Sequence, residues 1–142
     1  MTCALCKPGP ERILWQDAVC RVIAVSEADY PGFCRVIWHA HVAEMSDLPP
    51  AQRDHLMDVV FATERVLREL LQPDKINLAS FGNVVPHLHW HVIPRYRDDR
   101  HFPQPVWAAA EREASQRNAV DDAVLASALA RELARHPSRS TR

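Results

Sequence analysis

Three histidines alternate with apolar residues in His87-Leu88-His89-Trp90-His91-Val92-Ile93. In a strand, alternate side chains share a face. His87, His89 and His91 therefore fall on one side, while Leu88, Trp90 and Val92 point to the other, onto a core. A single histidine on a sheet is usually just a polar group. Three on one face of a short, apolar-backed strand point to chemistry. Strand rise sets His87 and His91 about 13 Å apart at Cα, whereas metal–nitrogen bonds are only ~2.1 Å long. Neighbouring pairs can chelate one ion but all three on a regular strand cannot, so at least one histidine serves another purpose. A neutral imidazole, whose ordinary pKa is ~6.5, is a good nucleophile at neutral pH. A second group of reactive side chains is the pair in Cys3-Ala4-Leu5-Cys6. Read alone, C-x-x-C fits a zinc half-site, a redox pair or chance. Redox use is disfavoured here because no strand precedes the pair and no helix clearly follows it.

The elements that must position these groups can be read from periodicity. Residues 3–11 carry two prolines and a glycine and read as a loop. Ala18–Val25 (AVCRVIAV) is β-branched and mostly apolar, a buried strand. Pro31-Gly32 marks a turn, and Cys34–Trp38 (CRVIW) reads as a second strand, antiparallel to the first because the connection is short. Pro49 and Pro50 suit the start of a helix, where their missing N–H groups would lack partners anyway. Leu56, Val59, Val60, Thr63, Val66, Leu67 and Leu70 then recur at helical spacing, which predicts one amphipathic helix over 50–71, stopped by Pro73. Lys75–Ser80 and Pro86–Pro94 are strand-like, and a second helix is predicted over 119–135. The order is hairpin, helix, hairpin, helix. This predicts an α+β domain with an antiparallel sheet over residues 1–110, then a C-terminal helical extension over 111–142 whose end, from His136, is frayed. Cys20 and Cys34 fall in strand patterns and read as small core residues, and His55 lies on the polar side of the long helix.

Composition narrows the function classes. The chain has 142 residues, 47% hydrophobic and 25% charged, which is one globular domain's worth. A net charge of -1 offers no bulk basic field for nucleic acid. No apolar run is long enough to span a bilayer. The N-terminus lacks an apolar stretch of signal-peptide length, so the expectation is an intracellular, cytoplasmic protein with reduced thiols.

The segment His87–Ile93 matches H-φ-H-φ-H-φ-φ, the pattern of the histidine triad (HIT) superfamily of nucleotide hydrolases and transferases. Val36-Ile37…His41 followed by Ser46-Asp47-Leu48 resembles that family's strand leading to a lone histidine before the long helix. The likeness covers roughly residues 1–107. It implies a HIT-like fold of about five antiparallel strands with one long helix packed on them. It also implies a covalent mechanism, in which His89 attacks the α-phosphorus of a purine nucleotide conjugate and water then releases the nucleoside monophosphate. Dinucleoside polyphosphates and nucleoside phosphoramidates are the two substrate classes, and the chemical step needs no metal. His91 would hydrogen-bond phosphate oxygens or the leaving group, and His87 would orient the network or serve a metal site. Many members have a longer glycine-rich segment ending in Gly-Gln before the triad. Here the link Ser80–Pro86 is short and Asn83 stands at that glutamine's position, a phosphate contact or simply a turn residue; Asn77 is a further candidate. Bacterial relatives often open with C-x-x-C, which in some binds zinc together with the lone histidine and the first triad histidine. Carried over, the ligands are Cys3, Cys6, His41 and His87, a closed structural Cys₂His₂ site, with His39 a competitor to His41. Val22, Ile23 and Val36 are candidates for the nucleoside pocket, and Arg95, Arg97 and Arg100 for polyphosphate. The resemblance further implies a homodimer. Two rival readings are a nucleotide-binding regulatory protein with vestigial catalysis and a zinc hydrolase.

Overall fold

The computed structural model describes residues 2–136. Five strands form one sheet: β1 (Arg12–Gln16), β2 (Cys20–Ala24), β3 (Cys34–Trp38), β4 (Lys75–Ala79) and β5 (His89–Arg95), in the order β1-β2-β3-β5-β4. Every neighbouring pair is antiparallel. The two helices are α1 (Pro50–Leu71) and α2 (Asp122–Arg135). The α+β architecture read from the sequence is therefore the observed one.

The sheet is two-sided, and its two faces do different work. Residues Cys20, Val22, Cys34, Val36 and Val92 are fully buried and face α1, which contributes Leu56, Val59, Val60 and Leu67 to the same core. The two strand cysteines are thus small core residues. Leu88 and Trp90 join this cluster, as alternation from the histidines requires. α1 has the predicted bounds. It opens at Pro50 with no side-chain cap, and ends where Gln72 turns left-handed (φ 48°) and its N–H returns to the carbonyl of Arg68.

Leu125 and Leu129 of α2 are buried in the same core, and the helix is tied down by Arg12–Asp122 and Arg65–Glu132 ion pairs. It starts at Asp122 rather than at 119, because Asp121 caps it by accepting the N–H of Ala123 at 2.8 Å. The frayed end expected beyond His136 lies outside the described residues.

β1 was not foreseen. Its RILWQ segment is too short and too lightly alternating to stand out, and it pairs with β2 through a bulge between Ile13 and Trp15. The hairpin is closed by Asp17, whose Oδ1 accepts the N–H groups of Val19 (2.9 Å) and Cys20 (2.8 Å). Between β2 and β3, Gly32 sits at φ +89°, and a Cβ there would lie 2.5 Å from Leu71 Cδ1. Glycine meets both the backbone and the packing demand of that turn.

The strand expected over 86–94 is shorter. β5 starts at His89 because Pro86 has no N–H and the next two residues bond elsewhere: His87 N–H to Val85 O (2.8 Å) and Leu88 N–H to Val42 O (2.8 Å). His87 therefore lies outside β5 and does not line the cleft that His89 and His91 share, which corrects the reading of one regular strand carrying all three histidines.

Candidate functional site

β5 carries His89 and His91 on the sheet face opposite α1, in register with Ile37 and Arg35 of β3. Both histidines are buried as residues yet line a cleft of about 450 Å³. The rim is supplied by the 81–85 loop, including Asn83, and by Leu5, Arg35 and Trp107. Asn83 thus lies at the cleft, beside Gly82 at φ +74°. Asn77 faces the same side of the sheet but does not line the cleft; its Oδ1 accepts from Arg95 Nη1 at 2.7 Å.

The hydrogen bonds define the imidazole tautomers. His89 Nδ1 lies 2.6 Å from the carbonyl oxygen of His87. A carbonyl can only accept, so Nδ1 carries the proton and Nε2 keeps its lone pair. Burial lowers the pKa of His89, and the nearby charge of Arg35 adds to the effect against the raising influence of the His87 carbonyl. His91 is driven down to about 4, first by burial and then by the charges of His89 and Arg35. Both rings are therefore neutral at neutral pH. His91 is walled by aromatic groups, with Trp107 at 5.0 Å and Phe33 at 5.9 Å between ring centroids, and its buried Nδ1 has no partner among the described residues.

His87 turns the other way. Its Nε2 donates to Trp38 O at 2.6 Å, which leaves Nδ1 unprotonated. That nitrogen lies 3.3 Å from Cys3 Sγ, 3.3 Å from Cys6 Sγ and 3.2 Å from His41 Nδ1. Cys6 Sγ is 3.3 Å from His41 Nδ1. All four donor atoms lie within 4.8 Å of one another. In a tetrahedral zinc site, bonds of ~2.3 Å to sulfur and ~2.05 Å to nitrogen imply edges of about 3.6 Å (S···N) and about 3.3 Å (N···N). The observed edges are within a few tenths of an ångström of these, and the Trp38 carbonyl prepares the correct His87 tautomer, so the residues fit a zinc ion. Desolvation acts upward on the Cys3 thiol, but hydrogen bonds from the backbone of Cys6 and Leu5 and from Cys6 and His41 side chains bring it down to about 6. A thiol so placed gives up its proton readily to a metal. His39 is not in the cluster; its Nδ1 is 3.3 Å from Ala18 O.

Other sequence candidates resolve differently. Val22 and Val36 are fully buried against the helices and cannot reach a ligand. Ile23, on the opposite face, lines a second cleft of about 510 Å³ with Leu5, Val25 and Arg35. Arg95 is buried with Asp99, and Arg100 pairs with Asp29, so neither of them lines the histidine cleft. His55 is not simply solvated: its Nε2 is 2.6 Å from Asp17 Oδ2. The sequence reading missed Arg35 and Leu5 at the cleft. Arg35 was findable, since pairing CRVIW against the histidine strand puts the residue before Val36 on the histidine face.

A family model described as "HIT domain" matches residues 7–98. A curated relative from Mycobacterium tuberculosis, "AP-4-A phosphorylase", is 30% identical over 78 residues, covering 51% of this chain and 40% of its own. The "Bis(5'-nucleosyl)-tetraphosphatase [asymmetrical]" of Schizosaccharomyces pombe is 28% identical over 87 residues, 58% of this chain and 48% of its own. The match thus spans less than half the length of these curated relatives. Among solved structures, a histidine triad protein from Bradyrhizobium japonicum is 31% identical with a TM-score of 0.67, covering 84% of this chain and 88% of that one. A zinc-bound histidine triad family protein from Mycobacterium smegmatis is 22% identical, TM-score 0.58, and covers 95% of each chain; it shows a shared fold.

Proposed function

The chain belongs to the HIT domain family, and from that premise we propose that it cleaves a purine nucleotide conjugate at the α-phosphate through a nucleotidyl-His89 intermediate. One observation carries the reading: His89 Nδ1 is committed to the His87 carbonyl, so the ring offers an unprotonated Nε2 to the cleft. The names of the curated relatives, a dinucleoside tetraphosphate phosphorylase and a tetraphosphatase, support the same substrate class.

In the first step, the Nε2 lone pair of His89 forms a P–N bond as the bond from phosphorus to the leaving oxygen or nitrogen breaks. His91, neutral and beside it, hydrogen-bonds a phosphate oxygen or the leaving group through its N–H and keeps its proton; a polyphosphate departs as the anion, and an amine takes its proton from water. In the second step, a water oxygen bonds to phosphorus as the P–N bond breaks, its electron pair returns to Nε2 so that His89 leaves as the neutral imidazole, and the water's proton passes to solvent. Splitting one displacement into two lowers each barrier. Asn83, which lines the same cleft, would contact a phosphate oxygen.

Cys3, Cys6, His41 and His87 would hold zinc, which when bound supplies a structural cross-link rather than an electrophile, because four protein donors leave no open position. His87 links that cluster to the chemistry: its ring reaches Cys3 and Cys6 while its carbonyl holds the His89 ring. The closed donor set weighs against the zinc-hydrolase reading. We place the domain itself at 1–110, with 111–142 as its helical extension, and expect a homodimer. Among the described residues no helix is long and apolar enough to cross a membrane.

The test is turnover of dinucleoside tetraphosphate and of a nucleoside phosphoramidate, with products separated chromatographically. Release of nucleoside monophosphate from either one, lost in His89→Ala, is the expected result. Tight nucleotide binding with no turnover by wild type would favour the regulatory reading. An elution volume of a monomer would refute the homodimer.

A further inference from the structure

Arg35 stands at the junction of the two clefts, which share only Arg35 and Leu5. It is the cross-strand neighbour of His91 on the open face of the sheet. Its guanidinium is half-buried, its Nε is fully buried without a hydrogen-bond partner, and among the described residues no carboxylate pairs with it. The contrast with its neighbour is instructive. Arg21, on the same sheet face, is neutralised by Glu11 through bonds of 2.8 and 3.2 Å and donates to Leu5 O as well. A partly desolvated guanidinium with an orphan N–H is costly unless something anionic completes it. Among the described residues none does so: Glu11, whose charge reaches Arg35, is bonded to Arg21 instead, and the planar fork of arginine matches two oxygens of one phosphate.

We propose that Arg35 is a catalytic residue that grips the non-bridging oxygens of the attacked phosphate, with one substituent of that phosphate in each cleft. The proposal rests on the functional reading above and adds to it a residue and a substrate geometry. The histidine cleft, walled by Phe81, Val84 and Trp107, takes one substituent. The second cleft, lined by Ile23, Val25 and the prolines Pro8 and Pro10, takes the other. The reacting phosphorus then lies between them, beside His89. A fixed positive charge in a site shielded from water stabilises the negative charge that the pentacoordinate transition state spreads over those oxygens. Substrates are therefore phosphodiesters, polyphosphate diesters or phosphoramidates that carry a group on both sides. A simple phosphate monoester leaves one cleft empty.

The test compares wild type with Arg35→Met and Arg35→Lys by calorimetric binding of a purine nucleoside monophosphate and of the uncharged nucleoside. Arg35→Met, which removes an unpaired charge, should stay folded by circular dichroism. It should lose roughly 10- to 100-fold in monophosphate affinity, the range for hydrogen bonds to a charged group, with nucleoside affinity unchanged. Arg35→Lys, keeping charge but not the fork, should fall between. Replacing a non-bridging α-oxygen by sulfur should slow wild type and leave Arg35→Met indifferent, a signature that a packing role would not produce. Equal losses for nucleoside and monophosphate, or an unchanged sulfur effect, would overturn the proposal while wild-type turnover kept the functional reading intact. A wild type that binds no nucleotide and turns over neither conjugate would instead remove that reading, and this proposal with it.

Discussion

The buried pair Arg95–Asp99 sets up a demanding test of the physical account. Arg95 is 2% exposed and Asp99 2%, and the guanidinium bonds the carboxylate at 2.8 and 3.1 Å. It also donates to Asn77 Oδ1 and Gln104 O, each at 2.7 Å, so one side chain joins β4, β5 and the segment that leads to Trp107. Burial pushes the Asp99 carboxyl up, but Arg95 and the N–H groups of Tyr96, Phe102 and His101 outweigh it and hold the group well below the ordinary carboxylate range. Arg95→Met leaves a buried charge without its counter-ion, a class of change that costs ~3–5 kcal/mol. The three backbone donors remain, so the low end, about 3 kcal/mol, is the expected value. At about 4 °C per kcal/mol for a chain of this size, the melting temperature should fall by about 12 °C. Thermal melts followed by circular dichroism measure it. The double variant Arg95→Met/Asp99→Asn removes the stranded charge and should recover at least about 1 kcal/mol relative to the single variant, the scale of coupling for side chains in contact. A melting temperature within about 2 °C of wild type, on the same scale, would refute this reasoning.

Four further outcomes follow from the same physics. The purified protein should carry zinc, and Cys3→Ser/Cys6→Ser should abolish the metal in elemental analysis and lower the melting temperature. Gln72→Gly relieves a left-handed residue at the end of α1, at a cost of ~1–2 kcal/mol, partly offset by a looser unfolded chain, so a net gain of about 0.5 kcal/mol is expected. The carboxyls of Asp17, Asp99, Asp122 and Glu132 all lie below their ordinary values, so the stability they give is present above about pH 4 and is lost as pH falls through their folded values. His91 acts over a higher window: its folded value is about 4, the unfolded chain takes up the proton first, and stability declines on acidification from about pH 6.5 downward. Denaturant melts at a series of pH values should show that decline reduced in His91→Asn.

Strong periodic signals carried the legible part. The recurrence of Leu56, Val59, Val60, Thr63, Val66, Leu67 and Leu70, bounded by Pro49-Pro50 and Pro73, marked α1, and the alternation at 88–92 put Leu88, Trp90 and Val92 against the core. The residues of the Cys₂His₂ cluster were named from the family likeness, and the geometry brings all four together. What escaped depended on tertiary pairing. β1 has one buried residue, Leu14, and is held by its neighbour rather than by its own propensity. The exit of His87 from the strand follows from backbone bonds to Val85 and Val42, which no local pattern encodes. Arg35 and Arg95 look alike as sequence. Only the neighbours distinguish them, one facing a cleft without a partner and the other locked on Asp99.

The central claim is that His89 is a nucleophile. Its most direct test is intact-mass analysis of protein quenched during turnover of dinucleoside tetraphosphate or a nucleoside phosphoramidate. The account predicts a mass increase of one nucleoside monophosphate, acid-labile as a P–N bond should be, and absent from His89→Ala. Turnover that proceeds in His89→Ala, or an adduct located on another residue, would contradict it.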